Sequence, residues 1–258
     1  MNRFIKFFLP ITVRDHLRFL KHPLHAFLRF CIVLKCKKKI LSGPFTGTFF
    51  DIPDFNTAMM IGTWEKELHD FFYNLEIQND ILCIGAAEGY YAVGLAKSFP
   101  DFEIYAYESN PIYLEFLKDN ATKNDCANIN YYGLCDRVEL QKRLSESVEK
   151  PLIICDIEGG EIDILDIEKI PLLANAKILV EVHEMYVEKC EKKLLERFSK
   201  THFAKVIKGE KRTIDDLPND IKFIKLFASE SRVVNLMNEG RPYPMNWIFF
   251  NPLENLNA

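Results

Sequence analysis

Five short apolar runs recur through the middle of the chain, each running into a glycine or an acid, and each separated from the next by a stretch with helical spacing. They are DILCIG at 80–85, FEIYAYE at 102–108, INYYGLC at 129–135, PLIICDIE at 151–158 and AKILVEVHE at 176–184. Apolar runs of this length bounded by turn residues predict strands, and strands alternating with helices predict a parallel sheet, because parallel neighbours must be joined by a crossover. Runs such as LIIC and ILV show no polar alternation, as strands covered on both faces require. The fold class implied is α/β, a doubly wound sheet, and 258 residues suit one such domain with appendages.

Between and around these runs the pattern predicts further elements. TWEKELHDFFYNL at 63–75 places Trp64, Leu68, Phe71, Phe72 and Leu75 on one face of a helix. Asn110-Pro111 opens a helix, since proline fits the first turn. A helix GEIDILDIEKI follows the fourth strand, and a charged helix spans 185–200. The segments FAKVIKG and IKFIKLF come next, then a helix ESRVVNLMNEG and a strand MNWIFF.

Charge divides the chain unevenly. Residues 1–40 carry ten Lys/Arg against the single acid Asp15, a balance of +9, whereas the overall charge is −4, so the remainder is strongly acidic. The expected organisation is a basic amphipathic helical arm over 1–41 and one domain over 42–258. Residues 15–39 read as two short helices broken at Pro23, with Leu24, Phe27, Leu28, Cys31 and Ile32 at helical spacing beside Arg29, Lys35 and Lys37 to Lys39. Such a helix either lies in a membrane interface with its lysines on anionic lipid, docks a partner, or packs on its own domain. The glycine- and proline-punctuated LSGPFTGTFF is a linker or hairpin. No run reaches the roughly 18 apolar residues of a spanning helix, and the acidic body disfavours nucleic acid. Seven cysteines without a C-x-x-C pair imply thiols in a reducing, cytoplasmic setting, the arm allowing peripheral contact with the inner face of the membrane.

In a doubly wound sheet, ligands bind beyond the carboxyl ends of the strands at the switch point. Those ends offer Gly85, Ala86, Ala87, Glu88 and Gly89, then Glu108, then Asp136, then Asp156 and Glu158, then Glu181, His183 and Glu184. Glu108 stands 23 positions after Gly85, where a carboxylate accepts ribose hydroxyls. The loop is not G-x-G-x-x-G, and Glu88 inside it would repel a phosphate at the helix N-terminus. A nucleoside cofactor without phosphates fits better, and S-adenosylmethionine has the ribose, amino acid end and sulfonium cation that suit an acidic pocket.

The ordered series GTWEKEL, DILCIGAAEGYYAVGLA, IYAYESNP, LIICDIEGGEIDIL and ILVEVHE resembles the FkbM-type family of S-adenosylmethionine-dependent methyltransferases over roughly 62–184. The resemblance implies a Rossmann-like methyltransferase sheet of seven strands, mostly parallel, with the last strand, MNWIFF, antiparallel. It also implies O-methylation, often of sugar or natural-product hydroxyls, with a glycan or glycolipid among the acceptors. Gly85, Ala86, Glu88 and Gly89 then cradle the cofactor, Glu108 holds its ribose, Asp136 faces the adenine, and Asp156 is a further cofactor-binding residue.

A hydroxyl needs a general base or a metal before it attacks a methyl group. His183 is the first candidate base because an ordinary imidazole pKa near 6.5 suits the work; Asp156 and Glu181 orient it or act themselves. The same three residues, Asp156, Glu181 and His183, are the candidates for holding a divalent cation. Glu161 suits the first turn of a helix as an acid near the dipole. Arg241, Tyr243 and Trp247 either reach over the pocket as sugar-stacking surfaces or close the core. Two other readings remain open: a cofactor-free Rossmann-like scaffold docking a membrane-associated partner, and a nicotinamide-dependent oxidoreductase.

Overall fold

The computed structural model describes residues 23–52, 56–147, 150–241 and 243–253. The chain forms two compact units, Met1–Lys66 with Arg212–Pro242, and Glu67–Lys211 with Tyr243–Ala258. The expected boundary at residue 41 falls inside the first.

In that first unit, α1 (Pro23–Cys36) buries Leu28, Ile32 and Cys36, packing against α2 (Thr57–Ile61) and the 3-10 helix Asn219–Leu226. The other face of α1 leaves Phe27, Phe30, Val33 and Leu34 exposed. The first of the two helices expected over 15–39 lies outside the described residues. LSGPFTGTFF turns back as a hairpin, with a bridge between Lys39 and Phe49 and the Ile40 amide donating to the Thr48 carbonyl at 2.9 Å.

The second unit carries the sheet, in which α3 (His69–Tyr73) precedes β1 (Ile81–Ile84), α4 (Tyr90–Ser98), β2 (Ile104–Tyr107), α5 (Pro111–Lys123) and β3 (Ile129–Tyr132). Then come α6 (Arg137–Glu146), β4 (Leu152–Cys155), α7 (Glu161–Ile164), β5 (Lys177–Glu181), α8 (Cys190–Phe198), β6 (His202–Ile207) and β7 (Trp247–Pro252). The strand order is β3-β2-β1-β4-β5-β7-β6. Strands β1 to β5 pair in parallel, and β7 runs antiparallel between β5 and β6, as the sequence predicted for MNWIFF. Ile84 pairs with both Tyr107 and Cys155, and Cys155 with Val180, so β2, β1, β4 and β5 end level at one edge. The chain reverses direction across the sheet between β1 and β4, which makes that edge the switch point.

Local chemistry starts the helices there. Asn110 caps α5 by accepting the Ile112 amide, with Pro111 in the first turn, and Asp136 caps α6 by accepting the Glu139 amide. Three expected helices are shorter than their patterns. Glu65 has φ 43°, so 63–75 becomes a 3-10 turn, Lys66–Leu68, followed by α3. After the four residues of α7, Asp166 captures the Glu168 and Lys169 amides in a turn that competes with the helix. Lys189, at φ 58°, delays the charged helix until Cys190. All of IKFIKLF but Phe227 lies within a 3-10 helix that follows Pro218, while FAKVIKG supplies β6. Among the described residues no helix is long and apolar enough to cross a membrane. All seven cysteines are unpaired thiols, with Cys83 and Cys155 buried in strands.

Candidate functional site at the carboxyl edge

The loop after β1 is pinned to the end of β2. The Gly85 and Ala86 amides donate to the Tyr107 carbonyl at 3.0 and 2.9 Å. Gly85 sits at φ 84°, and a Cβ there would stand 1.7 Å from the Asp156 carbonyl oxygen. Close approach of the β1 and β4 ends is therefore reason enough for glycine, and it sets the loop directly beside Asp156. Glu108 clamps the same loop: one carboxylate oxygen accepts the Ala87 amide at 2.8 Å and the other the Asn110 amide at 2.7 Å. Each oxygen keeps a second lone pair for a hydroxyl. Ala87, at φ 44°, holds a left-handed conformation that L side chains disfavour by about 1–2 kcal/mol. Gly89 stands at the N-cap of α4, and the Glu88 carbonyl accepts from Asn120 at 3.0 Å.

Asp136 stands beyond this loop, at a cavity of about 350 Å³ lined by Tyr107, Tyr132, Leu134, Asp136, Val138 and Glu139. Its walls are braced. The Tyr107 and Tyr132 rings stack with centroids 4.9 Å apart, and Arg143 donates to both hydroxyls, at 3.3 and 3.1 Å. Leu134 and Val138 are exposed there, offering apolar surface to a flat ring. A larger open depression of about 620 Å³ follows one face of α5, and none of the strand-end acids lines it.

The other half of the edge gathers charge around His183, which is 0% exposed. Its Nδ1–H donates to Glu161 Oε1 at 2.8 Å. That same oxygen accepts the Ile157 and Gly159 amides at 3.1 and 3.2 Å, so the loop after β4 wraps its own carboxylate. On the far side of the ring, Nε2 lies 3.2 Å from Glu181 Oε2, 3.5 Å from Asp156 Oδ1 and 3.6 Å from Glu158 Oε2. None of these is aligned to take a hydrogen bond from Nε2. Tyr186 covers the imidazole, with ring centroids 5.9 Å apart. A Cβ on Gly159, at φ 106°, would meet the Tyr186 Cβ at 2.8 Å.

Burial disfavours the imidazolium, but the Glu161 and Glu181 carboxylates outweigh it and lift the His183 pKa to about 10. Burial likewise opposes ionisation of Glu161, yet its bond to His183 and the enclosing amides hold it below the usual carboxylate range. The ordinary pKa near 6.5 on which a base role for His183 rests is thus not the one this environment sets.

The fold brings Asp156, Glu181 and His183 together, and Gly85, Ala86, Gly89 and Glu108 around one loop. Glu88 lies within that loop, and Asp136 stands at the neighbouring cavity. Arg241 is ion-paired with Glu65 at 2.6 Å and lies over the Trp64 ring. Trp247 is buried in β7, so it closes the core, while Tyr243 is exposed. Nothing in the sequence assigns a role to Glu158 or Tyr186, and Glu161 reads there only as a helix-dipole acid. The only sequence hint was DIEGGE itself, where two glycines let an acid double back.

No family model matches the chain, and no curated protein matches it. Solved structures do. The METTL16 methyltransferase domain aligns with a TM-score of 0.50 at 14% identity, covering 88% of this chain and 78% of that one. The fibrillarin/Nop5p complex gives 0.48 at 16% identity, covering 84% and 92%. The precorrin-6y C5,15-methyltransferase of Geobacter metallireducens gives 0.47 at 18% identity, covering 74% and 87%. At 14% identity, what the chain shares with the METTL16 domain is the fold, a Rossmann-like methyltransferase sheet.

Proposed function

We propose that the chain is an S-adenosylmethionine-dependent methyltransferase acting on a hydroxyl, with a sugar, glycan or related natural product as acceptor. The observation that carries this reading is the meeting, at the switch point of this sheet, of a side-chain-poor loop held by Glu108 with a cluster of carboxylates at Asp156. The cofactor fits that half of the edge. Gly85, Ala86 and Gly89 put no long side chain in the way of its amino acid portion. Glu108 retains lone pairs for the ribose hydroxyls, and the cavity at Asp136, Leu134 and Val138 suits its base. When bound, S-adenosylmethionine supplies an electrophilic methyl group on a sulfonium leaving group.

The protein's own task is alignment and proton removal. His183 and Glu181 are sealed at 0% and 1% exposure, whereas Asp156 is partly open beside Gly85. Of the three residues Asp156, Glu181 and His183, Asp156 is therefore the one that an acceptor hydroxyl reaches, and Glu181, Glu161 and His183 fix its surroundings. The FkbM-type motifs, DIEGGE above all, support a sugar or natural-product hydroxyl as acceptor. The test is release of S-adenosylhomocysteine from S-adenosylmethionine. Release that depends on polyol or saccharide acceptors is expected; release only with amine or nucleic-acid acceptors contradicts the hydroxyl assignment.

The same reading puts the acceptor at an anionic membrane surface. Phe27, Phe30, Val33 and Leu34 of α1 are exposed, the Phe27 ring lies 6.0 Å from that of exposed Phe227, and Lys35, Lys37, Lys222 and Lys225 are exposed on the same two elements or just beyond them. Apolar side chains ringed by lysines suit a helix lying in a lipid interface. Cosedimentation with phosphatidylglycerol vesicles, but not phosphatidylcholine vesicles, is the expected result.

A further inference from the structure

We infer that His183 Nε2, Asp156 and Glu158 form a binding site for a divalent cation. The starting point is a nitrogen without a partner. His183 is wholly buried, yet among the described residues no acceptor stands in line with its Nε2, although oxygens of three carboxylates lie 3.2, 3.5 and 3.6 Å away. A buried polar atom left this way costs about 1–3 kcal/mol unless something occupies it.

The opposite nitrogen settles which electron pair is available. Nδ1 donates to Glu161, and Glu161 is itself fixed by two backbone amides. A carboxylate behind an imidazole keeps the proton on Nδ1, so a cation at Nε2 displaces only the Nε2 proton and takes the lone pair it leaves, the arrangement that orients histidine ligands toward metals. The distances agree. Atoms bonded to one cation at about 2.1 Å and right angles lie about 3 Å from each other. Nε2, Asp156 Oδ1 and Glu158 Oε2 are separated by 3.5 and 3.6 Å from the nitrogen, and the three residues present ligand atoms all within 4.8 Å of one another.

Charge points the same way. Four carboxylates have an oxygen within 3.6 Å of this imidazole, which carries at most one positive charge. Glu158 is held over the ring by a backbone at φ 54°, a conformation a glutamate takes only at some cost. One imidazole with two carboxylates, leaving other positions to water, suits a cation of intermediate hardness such as Mn²⁺ better than a thiophilic one. Glu181, sealed against the strand end, orients the ring; Glu158, which is mostly exposed, takes its place as the third ligand of the trio expected from the sequence. Cation binding here does not require methyl transfer. If the transfer occurs, the cation stands beside Asp156 and the Gly85 loop, where the acceptor hydroxyl loses its proton.

The experiment is an Mn²⁺ titration of the full chain followed by electron paramagnetic resonance, without S-adenosylmethionine. One saturable site per chain is expected, with the ¹⁴N modulation of a coordinated imidazole in the pulsed spectrum. Glu158→Gln, at an exposed position, should weaken binding by about tenfold or more while leaving the thermal midpoint of the cation-free protein in place. Asp156→Asn should do the same to the affinity. No saturable binding up to millimolar Mn²⁺, a bound ion without nitrogen modulation, or an affinity untouched by Glu158→Gln would each overturn the site.

Discussion

Two histidines are buried in the same sheet, at opposite edges, and they are held in opposite charge states. His202 opens β6 at the amino edge, where its Nε2–H donates to the Ala176 carbonyl at 3.0 Å and its ring meets those of Phe198 and Phe250. Burial there pushes its pKa down, only partly offset by the carbonyl, so it is a neutral plug in an apolar wall. His183 follows β5 at the carboxyl edge and is equally buried, yet carboxylates lift its pKa to about 10. One surrounding serves packing. The other concentrates charge that packing alone does not require, since buried ion pairs seldom stabilise a fold better than apolar residues would. The difference marks the carboxyl edge as the part of the sheet built for a ligand.

The carboxyl edge is most sensitive at its backbone. Gly85→Ala must fit a Cβ against the Asp156 carbonyl at a left-handed φ, so a loss of at least about 3 kcal/mol in urea unfolding is expected; a wild-type midpoint would mean that the β1 and β4 ends are not so closely apposed. Next in size is Glu161→Gln, which keeps an acceptor for the loop amides but removes the charge facing the imidazole. It should cost about 1.5–3 kcal/mol at neutral pH, whereas an unchanged midpoint would show that the two histidines differ less than their surroundings indicate. The smallest effect sharpens the amino edge. Because folding lowers the His202 pKa, the unfolded chain binds a proton that the folded chain refuses as pH falls through about 6.5. Wild-type stability attributable to this residue is full above that pH and declines below it. His202→Gln should flatten that decline in pH-dependent unfolding; an unaltered slope removes the residue from the acid limb.

The strands and the switch point were legible because they depend on local pattern. Apolar runs located β1 to β5, Asn110-Pro111 located the start of α5, and the acids at the strand ends located the switch point. The interior of the site was less so. Glu161 in a first helical turn is explained by the dipole, and nothing local says that His183, 22 positions on, returns to face it. Glu158 reads as a loop acid until its left-handed φ turns it toward Nε2. The N-terminal helix shows the same limit. Of the apolar residues at helical spacing, Leu28 and Ile32 are core while Phe27 is exposed, a division set by α2 and the 3-10 helix 219–226 rather than by periodicity.

In the function proposed above, this edge holds S-adenosylmethionine through the loop that Glu108 clamps. Calorimetric titration of S-adenosylmethionine into the wild type and Glu108→Ala tests it most directly, with urea midpoints confirming that both are folded and Glu158→Gln as the comparison from the charged half. The account predicts one site in the wild type, an affinity at least tenfold lower (about 1.4 kcal/mol) in Glu108→Ala, and little change in Glu158→Gln. A folded wild type that does not bind, or a Glu108→Ala variant that binds as well as the wild type, would contradict it.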